Sequence, residues 1–229
     1  MENLAFTTPD WPTVPIVDSS RLYPVRRIFC VGRNYLDHAK EMGMQVDRDA
    51  PFYFTKSPSA IVASGAQIAY PPATKNYHHE IELVVTLGGP IHDASPEQAG
   101  AAIHGFAVGL DMTRRDLQIT ARDRGYPWDL GKDFEESAVI GPITTRVGME
   151  GYDRRIWLTV DGELRQDSNL SQLVWSVPEV IAILSRYYHL DAGDVVFTGT
   201  PAGVGAVSAG NELRGGIDGL TDITLTIAG

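Results

Sequence analysis

Cys30 is the only cysteine in the chain. An intramolecular disulfide is therefore excluded, and so is a zinc site built on a pair of thiolates. A single thiol fits a reducing compartment. No apolar run reaches the roughly 18 residues of a membrane span. There is no His-Glu-x-x-His, which removes the common helical zinc-protease site, and no Gly-Lys-Ser/Thr, which removes a phosphate loop. Basic residues are scarce: 19 Lys and Arg stand against 29 Asp and Glu, a net charge of −10. A surface that acidic disfavours nucleic acid and anionic membrane as partners. An anionic small molecule would need local positive charge, from a metal or from a few basic side chains. Met1 to Pro15 holds Glu2, Asp10 and three prolines, with no basic stretch followed by an apolar one. The expectation is a chain without a secretory signal, soluble and cytoplasmic.

What is present is an ordinary globular mix, 43% hydrophobic and 21% charged over 229 residues, enough for one good core. Residues 1–24, rich in Pro, Thr and Ser, read as an extended arm covering a sheet edge or a partner subunit. Residues 25–229 read as one domain. Short strand signals recur at Arg27 to Val31, Pro51 to Lys56, Glu80 to Leu87, Gly105 to Asp111, Ile156 to Val160, Asp194 to Phe197 and Ile223 to Ile227. A hairpin is expected around Ser64-Gly65 within Ile61 to Tyr70, and another at Asp161-Gly162. Helices are expected near Tyr35 to Met42, from the capping pattern Ser95-Pro96-Glu97-Gln98, over Thr113 to Arg122 and over Ser176 to Tyr188. Gly125 to Glu136 reads as a polar, mobile lid. Glycines and prolines are numerous, 23 and 14. The strands are short and do not alternate with helices. The fold class is therefore α+β and β-rich, rather than a doubly wound sheet.

The chemistry centres on Tyr77-His78-His79-Glu80-Ile81-Glu82. Side chains two apart on a strand share a face, so Glu80 and Glu82 project together. Two like charges side by side repel unless a cation lies between them. The alternative is a solvated edge strand, but Leu83-Val84-Val85 argue for burial, and buried acids need partners. Asp111 ends an apolar run and is a third oxygen donor, or else a helix cap. An all-carboxylate set suits a hard ion, Mg²⁺ or Mn²⁺, with Ca²⁺ as a further candidate. His38 and Glu41 lie three apart in a helical segment. They are either a general base with its orienting acid or an exposed helix pair. Lys132, in the lid segment, is either a cation for a substrate anion or a surface lysine. The Gly-rich turn Thr198 to Gly205 could hold a carboxylate through backbone N–H groups and the Thr200 hydroxyl.

Four strings occur together in order. They are Cys30-Val31-Gly32-Arg33-Asn34-Tyr35 with His38, Tyr77-His78-His79-Glu80-Ile81-Glu82, Gly109-Leu110-Asp111-Met112-Thr113-Arg114-Arg115-Asp116, and Thr198-Gly199-Thr200-Pro201. From about Val25 onward this pattern resembles the fumarylacetoacetate hydrolase family. The resemblance implies a mixed β-sandwich roll with flanking helices, usually dimeric. It implies Glu80, Glu82 and Asp111 as metal ligands, His38 and Glu41 as the dyad that activates water, and Lys132 as a catalytic cation. It implies Arg115, Gln118 and Thr200 as positions that hold substrate oxygens; Arg33, from its charge, and Gly199, from the Gly-rich turn, are further substrate-binding candidates. Some longer members carry a further carboxylate seven residues before the histidine. Here that place is Val31, so three protein ligands are expected.

The implied activity is metal-dependent hydrolysis of a carbon–carbon bond in a small anionic 2,4-dioxo acid. Fumarylpyruvate, split to fumarate and pyruvate in gentisate-type aromatic degradation, is the expected substrate. The rivals on the same scaffold are acylpyruvate hydrolysis and oxaloacetate decarboxylation. A catalytically silent metal-binding protein is the remote one. Arg33, Arg115 and Arg122 are the candidates for the substrate's distal carboxylate.

Overall fold

A computed structural model describes residues 10–37, 48, 50–146 and 151–229. Its centre is the strand Ile81–Leu87, buried along its whole length. Leu83 and Val85 face one core with Phe29 and Val31, while Val84 faces a second with Ile28 and Cys30. Period-two alternation thus places apolar groups on both faces, which is why these runs are continuously hydrophobic.

The main sheet runs Phe52–Lys56, Arg27–Gly32, Asp194–Phe197, Ile81–Leu87, Ile103–Asp111, Ala138–Ile140, Ile61–Ala63, with Thr144–Thr145 also on Ile103–Asp111. A second sheet runs Glu163–Asn169, Arg155–Val160, Glu212–Ile217, Ile223–Ile227, Ala66–Ile68. Ile156, Leu158, Leu213 and Leu225 of this sheet join Ile81, Leu83 and Val85 in the larger core. A small third sheet joins Thr113–Arg114, Tyr77–His79 and Gly205–Val207. The result is a β-rich roll with four α-helices among the described residues: Pro96–Ala101, Arg115–Arg124, Asp129–Lys132 and Val177–Leu184. None is long and apolar enough to cross a membrane.

Local signals account for several elements. Ser95 and Gln98 form the expected capping box, and Ser176 with Glu179 forms another. Asp161 and Gly162 both have positive φ, 51° and 80°, and close the hairpin Arg155–Val160 to Glu163–Asn169.

Two expectations are corrected. Ile61–Ala63 and Ala66–Ile68 do not pair with each other: the first joins Ala138–Ile140 and the second Ile223–Ile227. Ser64-Gly65 is a corner between sheets. The helix after Asp111 starts at Arg115, since Thr113 and Arg114 pair with Tyr77 and His78 first. Residues 10–24 carry a hairpin of two extended strands. Thr13–Pro15 and Leu22–Pro24 pair, and Val14, Ile16 and Tyr23 enter the second core.

Gly109 illustrates the tightness of the centre. It lies opposite Glu82, and a methyl there would overlap Val84 and sit 2.8 Å from Phe197 Cε1. Gly109→Ala should cost about 1–3 kcal/mol, the usual price of overpacking a dense core. Urea unfolding measures it, and an unchanged midpoint would contradict this packing.

Candidate active site

The site forms where the chain leaves one sheet for another. Tyr77–His79 belongs to the small sheet and Ile81–Leu87 to the main one, so Glu80 sits at the crossing. The antiparallel register puts Asp111 beside it, with the Asp111 N–H donating to the Glu80 carbonyl at 2.9 Å. Glu80, Glu82 and Asp111 each present a carboxylate oxygen, all within 4.8 Å of one another, and all three residues are buried. Burial first, then repulsion from Asp111 and Glu80, pushes the Glu82 carboxyl well above the usual range. These three acids line a cleft together with Arg33, Arg115, Gln118, Trp128, Lys132 and Thr200.

Three bases face the acids. Lys132 Nζ donates to Glu80 Oε2 and to Asp111 Oδ2, each at 2.7 Å. Burial works against this ammonium, but Asp111 and Glu80 outweigh it and its pKa is raised. Arg115 pairs with Glu80 through Nη2 and donates from Nη1 to Gln118 Oε1 at 3.1 Å. Lys56 Nζ lies 2.9 Å from Asp111 Oδ1. It also donates to the Ser137 hydroxyl at 3.0 Å and to the Lys132 carbonyl.

Lys56 was missed in the sequence, where it merely closes PFYFTK. The only clue is a lysine ending an otherwise apolar strand. Gln166 was missed too. Its side chain accepts from the Ile81 N–H and donates to Thr200 Oγ1 at 2.8 Å and the Pro201 carbonyl at 2.9 Å. It thereby ties the second sheet to the cleft wall. Asn34 donates to the Thr198 and Trp175 carbonyls and accepts from the Trp175 N–H. His78 lies between Arg115 Nε and Asn76 Oδ1, and burial followed by the Arg115 charge presses its pKa down to about 4.

The expected substrate positions are placed unequally. Arg33, Arg115, Gln118 and Thr200 reach the cleft. Gly199 has no part in its lining. Its φ of 99° turns its N–H onto Glu82 Oε2 at 2.6 Å, so the donor is spent on an acid. The Thr200 hydroxyl donates to the Ile81 carbonyl at 2.8 Å, which leaves it only accepting capacity. His38 and Glu41 lie outside the described residues.

The lid expected over Gly125 to Glu136 is in large part a docked element. Asp129–Lys132 is helical, Phe134 is buried, and a methyl on Gly131 would sit 2.7 Å from Gln118 Cβ. Trp128 packs on Phe52 at 4.7 Å between centroids and on Phe54 at 5.8 Å. The segment has apolar anchors after all, while Gly125 to Pro127, Asp129, Leu130, Glu135 and Glu136 are exposed.

An all-oxygen, buried and mutually repelling donor set fits a hard divalent cation. A roll of two sheets with such a donor set at the strand crossing defines the class. Residues 27–228 match the family model for the fumarylacetoacetate (FAA) hydrolase C-terminal region. A fumarylpyruvate hydrolase of a Ralstonia species is 52% identical over 188 residues, covering 81% of this chain and 98% of the relative. The mitochondrial oxaloacetate tautomerase FAHD1 of Homo sapiens is 37% identical over 203 residues, covering 88% and 91%. A crystal structure of the fumarylpyruvate hydrolase from Pseudomonas aeruginosa, in complex with Mn²⁺ and pyruvate, superposes with a TM-score of 0.95 at 47% identity, covering 99% of each chain. The chain belongs to the fumarylacetoacetate hydrolase family.

Proposed function

We propose that this chain hydrolyses the C3–C4 bond of fumarylpyruvate, giving fumarate and pyruvate, with Mg²⁺ or Mn²⁺ held by Glu80, Glu82 and Asp111. The observation that carries the reading is the buried acid triad on the cleft wall, faced by Lys132 and Arg115. The 52% identity to a fumarylpyruvate hydrolase and the Mn²⁺–pyruvate complex of the structural neighbour support the substrate. Around the triad, three acids face Lys56, Lys132 and Arg115, so the cluster is near charge balance. Two added positive charges would match a dianion, which fumarylpyruvate is. A divalent ion held by Glu80, Glu82 and Asp111 would supply Lewis acidity for negative charge that develops on the pyruvoyl end.

The protein's own groups divide the remaining work. Arg115 holds Glu80 in place and engages the Gln118 carbonyl oxygen, which leaves the Gln118 amide hydrogens for a substrate oxygen. Lys132 is the cation that bridges two of the acids, and it stabilises the oxyanion that forms on C4. His38, oriented by Glu41, takes the proton from the attacking water. That role rests on the family resemblance. His38→Ala should lower kcat by about 10²–10⁴-fold while leaving pyruvate binding in place. A wild-type rate in that variant would remove His38 from the mechanism.

Loss of the enol absorbance of fumarylpyruvate, acetylpyruvate and oxaloacetate, followed with Mg²⁺ or Mn²⁺, tests the assignment. Fumarylpyruvate should lead acetylpyruvate by about tenfold or more in kcat/KM, the worth of one charge-assisted hydrogen bond to the distal carboxylate. Fastest turnover of oxaloacetate would replace the reading with an oxaloacetate enzyme. We further place the protein in the cytoplasm, in aromatic catabolism, as a homodimer. The free, buried Cys30 supports a reducing compartment, and the exposed Trp11 and Leu22 on the N-terminal hairpin support a second copy. Light scattering reads the mass directly.

A further inference from the structure

A second and larger hollow adjoins the cleft. Arg33, Phe54 and Trp128 line both, so the two are continuous at those residues. The walls of the hollow are aromatic. Phe52, Phe54 and Trp128 pack together with centroids 4.7–6.3 Å apart, and Tyr126 stands 59% exposed beside them. Clustered rings left in water mark a place where something flat is received.

Two of the chain's few basic residues, Arg33 and Arg122, line the hollow of a protein of net charge −10. The two arginines differ. Arg122 is paired with Asp123 at 2.8 Å, and Asp129 lies at the same rim. Arg33 has a left-handed backbone, φ 62°, and its guanidinium lies 5.7 Å over the Phe52 ring. Its Nε is buried and has no hydrogen-bond partner among the described residues. The cation that stands between cleft and hollow is therefore the one with unspent donors.

We propose that this hollow is the subsite for the acyl end of the substrate, and that the chain hydrolyses aroylpyruvates as well as fumarylpyruvate. The inference rests on reading the cleft as a 2,4-dioxo acid site. With the pyruvoyl end at the acids, the group on C4 runs out past Arg33, Phe54 and Trp128. A fumaryl group is flat and conjugated, and a benzoyl group shares both properties while filling more of the aromatic wall. Rings stack there in offset or tilted arrangements, and the Arg33 guanidinium adds a cation–π contact. The reaction balances without a further reagent. Water gives its hydroxyl to C4, and the C3–C4 electron pair passes to C3, which takes a proton. The products are an aromatic carboxylate and pyruvate, with one proton released to solvent.

The test uses full-length protein loaded with Mn²⁺ and compares benzoylpyruvate, acetylpyruvate and fumarylpyruvate. Benzoylpyruvate should reach a kcat/KM at least equal to that of acetylpyruvate, despite its greater bulk. Trp128→Leu should lower the benzoylpyruvate-to-acetylpyruvate ratio by about threefold or more, the loss of one aromatic contact. Phe52→Leu, at the outer wall, repeats the measurement if the first variant folds poorly. Benzoylpyruvate slower than acetylpyruvate, or a ratio that moves less than this in the folded variant, overturns the inference. If fumarylpyruvate is cleaved and benzoylpyruvate is slower than acetylpyruvate, the subsite alone fails. If fumarylpyruvate is not cleaved, the reading of the cleft fails first.

Discussion

Replacing Glu82 with alanine should lower kcat/KM for fumarylpyruvate by about 10³-fold or more and release the divalent ion. The reason is structural as well as chemical. Glu82 is buried and fixed by the Gly199 N–H at 2.6 Å, so no neighbouring donor can swing into its place. A metal acting as Lewis acid contributes several kcal/mol to such a transition state, and each ~1.4 kcal/mol is a factor of ten. Glu82→Gln separates charge from shape. Its amide oxygen can still accept from Gly199, and it removes the repulsion that Asp111 and Glu80 impose. Metal-free Glu82→Gln should therefore melt at or above the metal-free wild type while binding Mn²⁺ more weakly. Calorimetric titration with Mn²⁺ and a chelator-stripped assay check both. Full activity in stripped wild-type protein would end the metal assignment.

Lys56→Met should destabilise the metal-free protein by about 3–5 kcal/mol, the range for leaving one partner of a buried ion pair alone. The Lys56 ammonium is fully enclosed and pairs with Asp111 at 2.9 Å. Without it, the acid triad loses one of its three counter-charges, and the Ser137 hydroxyl and Lys132 carbonyl lose a shared donor. Added Mn²⁺ restores positive charge at the same acids. It should therefore raise the melting temperature of Lys56→Met by more than it raises that of the wild type, because binding to the native state stabilises by mass action. Catalysis should still suffer in the loaded variant, since Asp111 and the end of the Asp129–Lys132 helix both lose their anchor. Thermal melts with and without Mn²⁺ read the first effect. An equal Mn²⁺ shift in both proteins would mean that Lys56 does not take part in the charge balance.

Much of the site was legible because its signals are local. Glu80 and Glu82 are two apart, and two-residue spacing on an extended chain brings side chains to one face whatever the rest of the fold does. Even so, Glu80 proved to lie at a crossing between sheets rather than within the strand. Asp-Gly at 161–162 and the two capping boxes are likewise decided within a few residues. The four ordered strings were specific enough to place the family, and with it a divalent ion and the β-rich α+β roll.

Sequence by itself determined the character of this protein: an acidic chain with one thiol, paired carboxylates in a buried strand, and the motifs of one enzyme family. Tertiary structure alone decided which charges answer those carboxylates. Lys56 meets Asp111 across 55 positions of chain, and Gln166 reaches the cleft wall from the second sheet. Neither pairing has a local period or motif to announce it. The same holds for Ser64-Gly65, where turn chemistry is satisfied equally by a hairpin and by a corner. Burial settles such choices, because an ion pair or a strand edge is stabilised only against partners that the whole fold brings near.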